Sequence, residues 1–324
     1  MNFKPLGRTG VQVSALCFGT MSFGGDADEA EAGRMYRACR DQGVNFFDCA
    51  NVYSRGRAEE ILGGLFAGHR DEVVITSKCA MSTGNDVNAR GGSRRYLTRS
   101  VEQSLRRLDT DRLDVLFMHR WDPLTPLEET LRALEDLVRD GKVLYLGASN
   151  YAGWQIAKGL GISDRRGWSR FEVLQPMYNL VKRQAEVEIL PLAAAEEIGV
   201  ITYGPVGGGL LSGKYGSSER PASGRLIDNS EYHLRYGDDW VFGVAEAFTR
   251  FAAEQGVHPV SLAVAWVAAH PAVTCPIIGA RDLEQLQPSL RALTIPMTAS
   301  LRDEISALSP APAPATDRSE ERSG

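Results

Sequence analysis

Long hydrophobic runs are missing from this 324-residue chain, and no stretch approaches the ~20 consecutive apolar residues a membrane helix needs. The opening segment, Met1-Asn2-Phe3-Lys4-Pro5, lacks the apolar core of a secretory signal. Cysteine is scarce: Cys17, Cys39, Cys49, Cys79 and Cys275 are odd in number and contain no Cys-x-x-Cys pair. That fits free thiols in a reducing cytosol. Basic excess is also absent. A net charge of −5 disfavours a nucleic-acid binder. The glycine-rich segment Gly19-Thr20-Met21-Ser22-Phe23-Gly24-Gly25 has no following Lys-Ser/Thr, which excludes a P-loop. No metal cluster and no internal repeat is evident.

What is present is a rhythm. Short apolar runs each stop at a polar or special residue: Val44–Phe47 at Asp48, Val73–Ser77 at Lys78, Leu113–Met118 at His119 and Val143–Leu146 at Gly147-Ala148-Ser149-Asn150. Phe171–Leu174 stops at Gln175, Val200–Thr202 at Tyr203, and Val273–Ile278 at Gly279-Ala280-Arg281. Continuous rather than alternating hydrophobicity suits parallel strands covered on both faces. Amphipathic helical stretches fall between them, within 28–41, 58–66, 97–108, 239–255, 261–270, 281–290 and 299–308. In another, Thr125 reads as N-cap, Pro126 as N1 and Glu128 as N3, with Gly141 as the stop. The spacing predicts βα units closing into one (β/α)8 barrel over residues 1–308. Residues 3–13 read as a β-hairpin ahead of it, and residues 207–237 as a long functional loop. The Pro-Ala and charged segment 309–324 is expected to be disordered.

Strands that deliver Asp48, Lys78 and His119 to one mouth, with Tyr53 on the loop after the first, suggest carbonyl chemistry. Tyrosine is a weak acid with an ordinary pKa near ~10. A lysine beside it lowers that value, and an aspartate keeps the buried lysine from standing alone. A histidine at the carbonyl oxygen can orient or relay a proton. Taken singly, each residue has an ordinary reading: a helix cap, a packing ring, a solvated rim lysine.

In that order on successive strand ends, Asp48, Tyr53, Lys78 and His119 resemble the catalytic tetrad of the aldo-keto reductases. The later segments are similar to that family's cofactor regions, and the resemblance covers about residues 1–308. It implies a TIM barrel whose hairpin plugs the bottom, with extra C-terminal helices. It also implies reduction of aldehydes or ketones with NADP(H), Tyr53 being the general acid.

Gly19 and Thr20 would then lie by the nicotinamide, and Ser149, Asn150 and Gln175 would meet its carboxamide. Tyr203 would stack on its ring. The loop through Gly204, Pro205, Gly207 and Leu210 would meet the pyrophosphate, with Lys214 adding charge. Gly279 and Arg281, opening a helix, would take a 2′-phosphate. Gln285 would supply a further polar contact, and Ser289 stands where the family usually has asparagine at the adenine. Cys49 and Gly204 are milder departures, from threonine and serine. Candidate substrate walls are Phe23, Arg55 and Trp121, with Tyr215, Tyr232, Tyr236 and Trp240 from the long loop.

The expected partner is a small-molecule carbonyl compound in the cytoplasm, with no nucleic acid and no membrane; the sequence leaves oligomeric state open. Two competing readings stand: an NADPH-binding regulatory subunit of the potassium-channel β type, and an aldolase-like barrel with Lys78 as Schiff-base lysine.

Overall fold

In the computed structural model, which describes residues 1–217, 220–318 and 320, the apolar runs form ten strands. A hairpin pairs β1 (Phe3–Pro5) with β2 (Gln12–Ser14) antiparallel. The others are β3 (Cys17–Gly19), β4 (Phe46–Asp48), β5 (Val74–Cys79), β6 (Leu113–Met118), β7 (Val143–Ser149), β8 (Phe171–Gln175), β9 (Gly199–Thr202) and β10 (Cys275–Ile278). These eight are parallel and close in the order β10-β3-β4-β5-β6-β7-β8-β9.

The helices are α1 (Glu29–Asp41), α2 (Arg57–Phe66), α3 (Arg94–Leu108), α4 (Leu127–Arg139), α5 (Gly153–Arg166) and α6 (Ile189–Ala195). Then follow α7 (Arg225–Asp228), α8 (Ser230–Tyr236), α9 (Asp239–Glu254), α10 (Pro259–Ala268), α11 (Leu283–Leu290) and α12 (Ala299–Ser306). Side chains of Asp28, Ser93, Asp282 and Thr298 accept backbone N–H groups at the starts of α1, α3, α11 and α12.

Strand side chains point alternately to opposite faces, and here each face has its own apolar cluster. One holds Cys17, Phe46, Val74, Val115, Phe117, Val173, Ile201, Cys275 and Ile277 inside the barrel. The other holds their chain neighbours, such as Phe18, Phe47, Ile75, Leu116, Leu174, Val200 and Ile278, against the helices. Leu6 and Val13 of the hairpin join the interior cluster at the N-terminal ends of the strands, so the hairpin does plug the bottom. It lies so close to β9 that a Cβ on Gly7 would meet the Gly199 nitrogen at 2.5 Å, and Gly7 also holds a φ of +56°.

Several expectations shift. Pro126, not Thr125, is the N-cap of α4, because Asp122 captures the Thr125 hydroxyl at 2.6 Å along with the Gly92 and Leu124 amides. α5 and α6 lacked a clear sequence signal: α5 carries Gly159 packed tightly against the Phe171 ring, and α6 contains a proline. Among its described residues, the stretch 207–237 holds a glycine turn (207–212) and the helices α7 and α8. Within the expected tail, residues 310–318 form neither helix nor strand, while residues 319 and 321–324 lie outside the described residues. No helix among the described residues is long and apolar enough to cross a membrane.

Candidate active site

Continuing the inward alternation by one step from the apolar interior reaches Gly19, Asp48, Lys78, His119, Ser149, Gln175, Tyr203 and Gly279 in turn. The mouth of the barrel is therefore lined by the last inward position of each strand, or the position just past it. Tyr53 reaches the same place from a 3-10 turn, Tyr53–Gly56, that follows β4.

Lys78 is buried and makes three contacts: Asp48 Oδ2 at 2.6 Å, the Cys49 carbonyl at 2.7 Å and the Tyr53 hydroxyl at 3.1 Å. The other oxygen of Asp48 accepts from Thr76 Oγ1 at 2.7 Å and Gln175 Nε2 at 2.9 Å. A buried ion pair is tolerable only when its remaining lone pairs and protons are satisfied in this way. The Tyr53 and His119 rings stand edge to face with centroids 6.1 Å apart.

Burial alone depresses an ammonium, yet the Asp48 charge and the bonds to Asp48 and Tyr53 hold Lys78 above its ordinary value. A Schiff-base lysine needs a neutral amine, so this environment speaks against the aldolase-like reading. Burial pushes the Tyr53 phenol up to about 12, outweighing the lowering by Lys78 that the sequence led us to expect. The phenol is thus a protonated donor held beside a fixed cation. Burial, then the Lys78 and Arg120 charges, drive His119 down to about 3, and its buried Nδ1 has no partner. It is a neutral ring with one hydrogen-bonding atom unspent.

The residues read as cofactor contacts divide. Thr20 is buried and bonded through its amide and hydroxyl to the Asp48 carbonyl, so it braces β4. A Cβ on Gly19 would strike Ile277 at 2.7 Å, so glycine there answers a close approach of β10. Gln175 gives its amide to Asp48 rather than to the open mouth, and Ser149 donates to the Gln175 carbonyl at 2.9 Å. Asn150, exposed and at a φ of +58°, links the His119 carbonyl to the Tyr203 hydroxyl at 2.8 and 2.7 Å. Gly204 and Gly207–Gly209 all have positive φ, and a Cβ on Gly208 would meet the Tyr232 ring at 2.6 Å. That turn is shaped by packing, not left loose. Pro205 and Leu210 are buried, so Leu210 can offer only backbone; Lys214 is exposed.

Arg281 does not open a helix. α11 begins two residues later, Asp282 caps it, and Glu31 takes the Leu283 amide at 2.7 Å. Two of the chain's own carboxylates thus occupy that helix start. Arg281 instead meets Asp26 at 3.1 Å, as does Arg225 at 3.6 Å. Asp26 and Arg225 went unnoticed in the sequence because no spacing links them to residue 281. Gly279 closely faces the Gly19 carbonyl, Gln285 donates to Asp282, and Ser289 is buried.

Of the expected substrate walls, Phe23 is fully buried against Phe18 in the core. Trp121 packs edge-on against Tyr151 and Trp154. Tyr215 and Tyr236 are buried, Tyr232 lies over Gly208 and stacks on Tyr236, and Trp240 is partly exposed. Arg55 is exposed on the Tyr53 turn. All five cysteines are free and buried; burial raises Cys49 and Cys79 to about 12, far from reactive thiolates.

A closed parallel barrel with this mouth is the architecture of a TIM-barrel oxidoreductase, and sequence comparison makes the assignment narrower. The chain belongs to the Aldo/keto reductase family, whose profile matches residues 15–310. It is 37% identical over 324 residues to an uncharacterized oxidoreductase of Bacillus subtilis, YrpG, covering 96% of this chain and 97% of that one. It is 38% identical over 302 residues to a probable voltage-gated potassium channel subunit beta of Arabidopsis thaliana, covering 91% and 92%. A norsolorinic acid reductase of Aspergillus flavus is 34% identical over 301 residues, covering 88% and 74%.

Proposed function

We propose that this protein reduces aldehydes or ketones to alcohols with NADPH, Tyr53 giving the proton to the carbonyl oxygen. The observation that carries the reading is the Tyr53 hydroxyl 3.1 Å from an ammonium that Asp48 holds in place. Bound NADPH would supply the hydride, which no side chain can. Its fit is supported by the donor set at the mouth. Asn150 and Tyr203, bonded to each other at the mouth, would meet the nicotinamide end, the Gly204–Leu210 backbone would meet the pyrophosphate, and the half-exposed Arg281 would take the 2′-phosphate.

The remaining work falls to side chains. The protonated Tyr53 donates to the carbonyl oxygen as negative charge develops there, and Lys78 stabilises the phenolate left behind. Asp48 keeps Lys78 charged and aimed. Neutral His119 offers its ring to the same oxygen as an orienting hydrogen-bond partner. The purified protein should consume reduced coenzyme, followed by its absorbance, when 4-nitrobenzaldehyde is added. Absence of carbonyl-dependent consumption, with coenzyme bound, would refute the reading.

That outcome would favour a second one. The Arabidopsis relative, named a probable voltage-gated potassium channel subunit beta, supports a regulatory-subunit role, in which this chain would bind coenzyme with little turnover. Tight NADPH binding with negligible carbonyl reduction is its signature.

A further inference from the structure

Glu59 is a carboxylate with no exposed surface, yet it touches neither the tetrad nor the open mouth. It lies in the first turn of α2, directly after the turn that carries Tyr53. One oxygen accepts from the hydroxyl of Ser77, the residue before Lys78 on β5. The other accepts from Arg107 of α3 at 2.7 Å through Nε and 2.6 Å through a terminal nitrogen. One buried charge therefore ties together the two segments whose functional atoms must meet at 3.1 Å.

The turn itself is under tension. Ser54 and Arg55 sit at φ +46° and +56°, a region that is strained for any residue with a side chain. Gly56 follows at +96°, and a Cβ there would come within 2.8 Å of the Arg107 side chain. Arg107 thus fills the space beneath the turn, while Ser54 Oγ bonds the Phe23 carbonyl at 2.6 Å on another side. A strained turn persists only if its surroundings over-determine it, and this one is braced on both.

We propose that Glu59, through Arg107 and Ser77, is a positioning residue that holds the Tyr53 hydroxyl against Lys78. This rests on the reading of Tyr53 as proton donor, but its geometric half can be tested without it. Glu59→Gln preserves shape and removes the charge that holds Arg107. Ser77→Ala cuts the tie to the Lys78 strand and leaves the Glu59–Arg107 pair intact, so it serves if the first variant folds poorly. Arg107→Lys keeps the charge and should retain most of the rate.

Melting temperature, NADPH dissociation constant, steady-state kinetics and a crystal structure would be obtained for each. Misplacing a reacting group by about 1 Å can cost roughly a hundredfold. Folded Glu59→Gln should therefore lose about a hundredfold in kcat, and Ser77→Ala about tenfold, with KM and NADPH affinity within about threefold of the parent. The Tyr53–Lys78 distance should lengthen beyond hydrogen-bond reach in Glu59→Gln. Folded variants with near-parental kcat, or coenzyme affinity falling in step with kcat, overturn the proposal. If the parent itself does not turn over, the functional reading fails, and the crystal distance alone decides: an unchanged contact in Glu59→Gln overturns the positioning role.

Discussion

The corner of the mouth formed by β4 and β5 and the rim formed by residues 204–236 and 279–285 are built on different principles. At the corner, Asp48 and Lys78 are nearly buried, with their bonds to Thr76, Gln175, Cys49 and Tyr53 satisfied within the sheet or just beyond it. At the rim, Arg281 and Arg225 lean on one half-exposed carboxylate, Asp26, and the backbone is bent by glycines. The corner's geometry follows from strand register; the rim's depends on contacts between loops far apart in the chain. Damage at the corner should therefore be large and confined to chemistry or stability, whereas damage at the rim should be smaller and graded.

The sharpest way to break that contrast is Tyr53→Phe, which deletes one hydroxyl. Carbonyl reduction should fall by about 10²–10⁴, the span of general-acid catalysis, with NADPH affinity unchanged by fluorescence titration. Comparable loss of coenzyme binding would mean corner and rim are not separable. Lys78→Met comes next: it leaves Asp48 buried without its cation, at a cost of roughly 3–5 kcal/mol in denaturant unfolding, besides the loss of rate.

At the rim, Arg281→Ala should weaken NADPH by about 10- to 100-fold, the worth of a charge-assisted hydrogen bond, and leave NADH nearly unaffected. Equal losses would remove the phosphate from Arg281. Gly208→Ala should lower stability by about 1–3 kcal/mol through its left-handed backbone and the Tyr232 ring, read as a lower melting temperature.

A further effect concerns pH. His119 is held neutral, so an unfolded chain binds its proton more readily. Its share of stability is present above pH 6.5 and lost as pH falls toward about 3. His119→Asn should flatten that part of the stability profile, and an unchanged acid slope would contradict the burial of the ring.

The corner could be read from the sequence because it obeys a local rule. Lys78 and His119 end apolar runs, and parallel strands in a barrel carry such residues to one mouth. Tyr53 was legible through the family pattern, not through periodicity, since it lies on a turn. Gln175 was legible in position but not in partner: nothing in the chain near 175 shows that Asp48, 127 residues away, needs a second donor. Phe23 read as a candidate pocket wall, but its ring turns inward to Phe18. Thr125 looked like a cap because its own neighbours fit the motif, whereas Asp122 reached its hydroxyl first. The rim stayed hidden because Asp26 and Arg281 are brought together only by closure of the ring between β3 and β10.

The alternation of faces along the barrel strands has a consequence for how such a chain can vary in descent. Deleting or adding one residue inside β5 or β6 would exchange the reactive side chain for a neighbour of the opposite face, silencing the centre at a stroke. Beyond the strand tips no such parity applies, and segments can lengthen or shorten there without rotating Lys78 or His119 away. Strand length in this architecture is therefore inherited as part of the reaction, while the connecting segments are open to experiment.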